Sequence, residues 1–246
     1  MRMLPVAALL GLLLGPASAS AMIINPGFDS GLTGWSPIGD FSVETGTYGP
    51  AGDAKLVLST APGTLAALGS GAVAADPDVI GLLGISAADV TPPSAPAAAD
   101  EGSGVTQQFT VGFAATDLQF DYQLFTEETN WNPPFADFVL FHVRNLAGTF
   151  SSTVVITDAL TEDNSGNFSA SPTQFQSETS VRSITMPLNG ADTYIFGIAV
   201  FDVTDDEFDS AVALDNFALI PEPRSGLLLA AGLLGLAMAG RPRSDG

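Results

Sequence analysis

Carboxylates dominate the side chains here that could do chemistry. Asp202, Asp205, Asp206, Glu207 and Asp209 form the densest acidic run, and Glu127, Glu128 and Asp137 flank a loop carrying Trp131, Pro133 and Pro134. Clusters of hard oxygen ligands suit a divalent cation such as calcium. The 202–209 run lacks the Asp-x-Asp-x-Asp-Gly order of an EF-hand loop and reads equally well as a solvated hairpin. Glycoside hydrolysis needs only two acids about 5–9.5 Å apart, and Glu127 or Glu128 with Asp137 would be the pair. Other catalytic chemistry has few residues to work with. The chain has no cysteine, which removes thiol catalysis, zinc-thiolate sites and disulfides. Its single histidine, His142, alternates with Phe138 and Leu140 as a strand-face residue would. There is no Gly-x-Ser-x-Gly elbow, Walker loop or dinucleotide fingerprint. No catalytic residue is therefore assigned. Of the two tryptophans, Trp35 reads as a core packer, and Trp131, between Asn130 and Asn132, is the one placed to stack on a sugar ring.

The elements that must position these acids are strands. Val105–Phe113, Leu118–Phe125, Asp137–Val143, Thr153–Thr157, Val181–Leu188, Thr193–Val203 and Ala211–Leu219 are short β-branched or aromatic runs separated by Gly, Asn, Asp and Pro. Leu118, Phe120, Tyr122 and Leu124 alternate with Gln119, Asp121 and Gln123, the period of a half-buried strand. Asp137–Val143 and Tyr194–Val203 are apolar on both faces, as central strands are. Seven such runs without helical periodicity predict an all-β fold, a β-sandwich. Residues 61–104, crowded with Ala, Gly and Pro, read as an insertion. Within it Asp76-Pro77-Asp78 predicts a short helix from Pro77 to about Leu83, and Thr91–Gly104 reads as a mobile surface loop.

Both ends read as processing segments. Met1-Arg2, the apolar run Leu4–Leu14 and Ala19-Ser20-Ala21 form a signal peptide over 1–21, with cleavage after Ala21 or Ala19. At the other end, Pro221-Glu222-Pro223 precedes an apolar helix over 225–240 and the terminal Arg241 and Arg243. Sixteen residues cover roughly 24 Å, short of a ~30 Å hydrocarbon core, and the arginines place that flank on the cytoplasmic side. The domain is then 22–220, followed by a tail over 221–246. Of 27 acids only Glu222 and Asp245 fall in the ends, against four of the seven bases. The mature region is left with Lys55, Arg144 and Arg182 and a net charge of about −22. Such a surface repels nucleic acid and anionic lipid, so no nucleic-acid partner is expected, and membrane contact only through the unprocessed tail.

The order Pro-Glu-Pro, apolar helix, terminal arginines resembles the PEP-CTERM sorting tail of bacterial envelope proteins. The resemblance implies export across the inner membrane of a Gram-negative-type bacterium and handling by an exosortase. A second likeness rests on Asn25-Pro26-Gly27-Phe28-Asp29 with Gly31-Leu32-Thr33-Gly34-Trp35, and on Asp215-Asn216-Phe217-Ala218-Leu219. This pairing resembles the galactose-binding-like jelly roll of many carbohydrate-binding modules. It implies that the last strand lies beside the first segment, and that one structural Ca2+ is held by Asp29, the Gly27 carbonyl and Asp215. Residues 100–220, through Gln107-Gln108-Phe109, Phe120-Asp121-Tyr122 and Phe201-Asp202-Val203, are also similar to PEP-CTERM surface proteins. Together these imply an exported, non-enzymatic protein of the cell surface or extracellular matrix, associated with exopolysaccharide and biofilm. The alternatives are a glycan-binding module and a carboxylate-based glycoside-active enzyme.

Overall fold

The computed structural model describes residues 22–48, 54–61, 65, 74–90, 99–112, 115–128, 136–203 and 208–221. Two antiparallel sheets face each other. The first holds β1 (Ser36–Ile38), β5 (Glu101–Val111), β12 (Asp192–Asp202), β7 (Phe138–Asn145) and β8 (Ser151–Asp158) in that order, with β4 (Ala74–Ala75) also paired to β5. The second runs β2 (Asp40–Thr45), β3 (Ala54–Ser59), β13 (Ser210–Pro221), β6 (Ala115–Thr126), β10 (Ser177–Glu178) and β9 (Ser169–Ala170), with β11 (Arg182–Pro187) also on β6. The chain crosses from one sheet to the other between β1 and β2, β3 and β4, β5 and β6, β6 and β7, β8 and β9, β11 and β12, and β12 and β13. This is the β-sandwich expected from the strand pattern, and of the jelly-roll type that the family resemblance implied.

Alternation places the core where the sequence put it. Leu118, Phe120, Tyr122 and Leu124 of β6 all point inward and are buried. They meet Val139, Phe141 and Val143 of β7 and Phe196, Ile198 and Val200 of β12 across the gap. Aromatic rings close one end of the sandwich. Trp35 packs 4.9 Å from Phe28, 5.4 Å from Phe196 and 4.9 Å from Phe217. Trp35 is thus a core residue, its Nε1 donating to the Asn25 carbonyl at 3.1 Å.

The outer face of the first sheet is covered too. Helix α1 (Asp76–Leu83) buries Val79 and Leu83, one turn apart, against Phe138, Leu140, Ala199 and Phe201. Gly197 permits that approach: a Cβ there would collide with Leu83 Cδ2 and come within 2.8 Å of Thr106 Cγ2. This explains why β7 and β12 are apolar on both faces. A third cluster sets Tyr48, Leu65 and Phe175 over Val57, Phe125, Ala211 and Ala213 on the second sheet's outer side.

Several expectations need correcting. The stretch read as a loop to Gly104 ends earlier, because Glu101–Gly104 opens β5 and pairs with Ala199–Asp202. Strand β13 extends to Pro221, which still pairs with Ala115. Strands β1 to β4, β9 and β10 and helix α2 (Ala159–Asn164) were not anticipated. The signal peptide and all of the tail beyond Pro221 lie outside the described residues. Among the described residues no helix is long and apolar enough to cross a membrane.

Candidate functional site

The N-terminal turn is built around Asn25, whose Nδ2 donates to the Gly31 carbonyl at 2.7 Å and whose Oδ1 accepts from Ser30 N at 3.1 Å. These bonds hold Asn25 and Phe28 at φ 50° and 56°, in the left-handed region. Gly34, at φ 86°, lies so close to Ile24 that a Cβ would sit 2.6 Å from its Cγ2. Strand β3 pairs with β13 only over Ala211–Leu214. Beyond that the N-terminal turn takes over the edge, and Phe217 N donates to the Pro26 carbonyl at 3.1 Å. The pairing of β13 with β6 slips between Asp215 and Ala218, and Asn216 at φ 56° takes the strained position of the bulge. That slip turns Phe217 into the core while Asp215 stays outside.

The three residues implied for calcium come together here. A Cβ on Gly27 would stand 3.6 Å from Asp215 Oδ1 and 3.8 Å from Asp29 Oδ2, so both carboxylates converge on the glycine. Asp215 is buried and its Oδ1 accepts from Asn216 N at 2.7 Å, whereas Asp29 is exposed. Two carboxylates beside backbone carbonyls suit a calcium ion, with water completing its six to eight oxygens. Among the described residues, no group of three or more acidic or histidine side chains stands at ready metal-ligand spacing.

Beside Asp215, the outer face of the second sheet carries a row of polar residues. Glu44 pairs with Lys55, Asp215 with Asp121, and Asp121 with Ser183. Asp121 accepts from the Ser183 hydroxyl and from Asn216 Nδ2, the latter at 2.9 Å. Lys55, Asp121, Gln123, Val181, Ala213 and Asp215 line a shallow, open depression. Gln123 is buried, and its Nε2 donates to the Thr179 carbonyl at 2.6 Å. Its Oε1 accepts no hydrogen bond among the described residues. Lys55, Asp121 and Asp215 thus border the apolar Ala213 and Val181, and the Gln123 amide oxygen is buried.

The two acidic clusters of the sequence reading meet in part, at the far end of the sandwich. Glu128, Asp137 and Asp202 are all buried. Glu128 accepts from Asp137 N at 2.7 Å, and Asp137 Oδ1 accepts from Val203 N at 3.2 Å. Burial, then the neighbouring Glu128 and Asp202 carboxylates, push the Asp137 carboxyl well above its usual range, against the lowering effect of Ser210 and the Val203 N–H. Glu127 is half-buried and turns away to Gln176. The solvated-hairpin reading thus fails at Asp202, which closes β12 inside the molecule. Asp209, half-buried, accepts from Glu127 N through its carbonyl at 3.0 Å. Asp205, Asp206, Glu207 and Trp131 lie outside the described residues, as do Glu222, Pro223, Arg241, Arg243, Ala19 and Ala21. Of the sorting motif only Pro221 is described, as the last residue of β13. His142 sits buried on the outer face of the first sheet, with Nδ1 2.8 Å from Thr153 Oγ1. Burial, aided by Arg144 and opposed by Asp89, lowers its pKa.

No family model matches this chain, and no curated protein does. Solved structures with a similar arrangement of strands include TmCBM61 in complex with beta-1,4-galactotriose, at 10% identity over 83% of this chain and 100% of that one, with a TM-score of 0.41. CBM28, a non-crystalline cellulose specific carbohydrate-binding module, covers 80% of this chain and 94% of its own at 12% identity and TM-score 0.41. The N-terminal cellulose-binding domain of a Cellulomonas fimi beta-1,4-glucanase C matches at 14% identity over 83% and 96%, with TM-score 0.34. No residue role passes from these proteins to this chain.

Proposed function

We propose that this is an exported, non-enzymatic surface or matrix protein whose sandwich binds polysaccharide. The observation that carries the reading is the depression on the second sheet, where acidic and amide side chains border the apolar Val181 and Ala213. Sugar hydroxyls both donate and accept, and this face sets half-buried Asp121 and exposed Ser183 and Asn216 beside Lys55 and Asp215. The strongly acidic surface repels anionic polymers, so the reading specifies a neutral polysaccharide. The carboxylate-enzyme alternative is less well supported, since Glu128 and Asp137 are buried and Glu127 points elsewhere. Calcium at Asp29, the Gly27 carbonyl and Asp215 would pin the N-terminal turn to β13 and hold Asp215 at the rim of the depression. The tail, handled by an exosortase, would deliver the domain to the envelope.

Affinity electrophoresis through gels containing neutral or acidic polysaccharides tests this. Retardation by at least one neutral polymer is expected. Asp121→Ala and Ser183→Ala should weaken it about tenfold or more, the scale of one or two lost hydrogen bonds to a ligand. Equal mobility in every gel, or unchanged retardation of both variants, would defeat the reading. Release of reducing sugar by the purified protein would instead establish the enzyme.

A further inference from the structure

We propose that Glu128, Asp137 and Asp202 form a second divalent-cation site, of calcium type, at the end of the sandwich opposite the N-terminal turn. Three buried carboxylates come from separate stretches of chain: the residues after β6, the start of β7 and the end of β12. The groups that act on the Asp137 carboxyl include no arginine, lysine or histidine. Taking one ion out of water without compensation costs several kcal/mol, so a counter-charge or a proton must be supplied.

A second observation points to a ligand. Asp137 is fully buried, and its Oδ2 accepts no hydrogen bond among the described residues, although Oδ1 is used by Val203 N. Neighbouring hydroxyls and amides of this end are paired. Thr126 Oγ1 accepts from Glu128 N at 2.9 Å and from Ser210 Oγ at 2.8 Å. Ser210 N donates to Thr60 Oγ1 at 2.8 Å, and Ala159 N to the Asp137 carbonyl at 2.9 Å. Asp137 is therefore fixed in place with one buried oxygen that accepts no hydrogen bond among the described residues.

The three carboxylates do not yet stand at ligand spacing, so binding requires Glu128 and Asp202 to turn onto Asp137 by a change of rotamer. Glu128 follows β6 by two residues and Asp202 is the last residue of β12, so such a change leaves the sheet pairing intact. The hydroxyls of Ser210 and Thr126 are further oxygen donors at the same end. Calcium tolerates such an irregular mixture of carboxylates and neutral oxygens, whereas magnesium demands near-ideal octahedral geometry. The site would tie β6, β7 and β12, and so both sheets, in a chain that has no disulfide to do so. It is independent of the polysaccharide reading and of Asp29 and Asp215.

The test is thermal melting of the protein in chelator, in calcium and in magnesium. With calcium a hundredfold above its Kd, occupancy of one site should raise the Tm by roughly 5–10 °C, with magnesium giving less. Asp215→Asn removes any contribution of the N-terminal turn, so this background isolates the second site, and the rise should persist there. Asp137→Asn in that background should abolish it, and so should Asp202→Asn, which guards against a folding defect peculiar to position 137. Isothermal titration of Asp215→Asn with calcium should show one bound ion. The proposal is overturned if Asp215→Asn shows neither a calcium-dependent shift nor bound calcium, or if the shift survives both Asp137→Asn and Asp202→Asn.

Discussion

Glu162 and Asp137 are both buried acids that brace the same sandwich, yet their surroundings are opposite. Glu162 lies in α2, whose N-cap Asp158 accepts from Thr161 N at 2.7 Å. Both its oxygens meet the Arg182 guanidinium of β11, Oε2 at 2.8 Å, and Oε1 also accepts from the Thr157 hydroxyl and Oε2 from Asn167 Nδ2 at 2.8 Å. Burial opposes its ionisation, but the bonds from Arg182, Thr157 and Asn167 outweigh that and hold its pKa below the usual range. Asp137 meets two more carboxylates and no base, and its pKa is pushed the other way. The contrast separates an acid whose neighbours complete it from one whose neighbours call for something more. Glu162 acts as a strut between α2 and β11. Asp137 is the place to look for a ligand.

The largest effect expected from breaking this contrast is at Arg182. Arg182→Ala leaves Glu162 buried without its cation, and because the arginine is partly exposed the loss should be about 2–3 kcal/mol. Urea denaturation should show it as a lower midpoint, with part of the loss recovered in Arg182→Ala/Glu162→Gln. A loss below about 0.5 kcal/mol would mean that the pair is only a surface contact. Asp137→Asn should have the opposite sign in chelator, a gain of about 1 kcal/mol, because an uncompensated buried charge is removed. A clear loss there would show that the Asp137 charge is already compensated.

A subtler separation comes from pH. The folded-state pKa of Glu162 is depressed, so its contribution is present above the unfolded value of about 4.3 and is lost as pH falls through the folded value. The folded-state pKa of Asp137 is raised, so its contribution runs the other way: stability is gained as pH falls through the raised value and is fully present below the unfolded one. Wild-type protein in chelator should therefore lose less stability between pH 6 and 4 than Asp137→Asn does. Arg182→Ala should flatten the steeper fall below pH 4. Parallel curves for all three proteins would refute the assignment of these two limbs.

The sandwich itself was legible because alternation is local. All seven strands read from the sequence exist, and the doubly apolar β7 and β12 are the strands covered by a sheet on one side and α1 on the other. Strands β2 and β3 were passed over although Phe41 and Val43 alternate with Ser42 and Glu44. Their short runs of mixed polarity give little signal without the neighbouring strand. Helix α2, of six residues, is set by its Asp158 cap and by the Glu162–Arg182 contact rather than by any periodicity. The meeting of Gly27, Asp29 and Asp215 was reachable only through family resemblance, because a β-bulge at Asn216 creates it. The sequence split the other acids by proximity in the chain, grouping Glu127 with Glu128. Strand alternation turns those two neighbours to different surroundings, and the pairing of β12 with β7 brings Asp202 to the Asp137 end of the sandwich.

The most direct test of the contrast is an anomalous difference map from crystals grown in calcium. The account predicts a peak about 2.3–2.6 Å from Asp137 Oδ2, with Glu128 and Asp202 turned onto it and no peak at Glu162. A map without that peak, with Asp137 Oδ2 and a Glu128 oxygen at the separation of a shared proton, would contradict it.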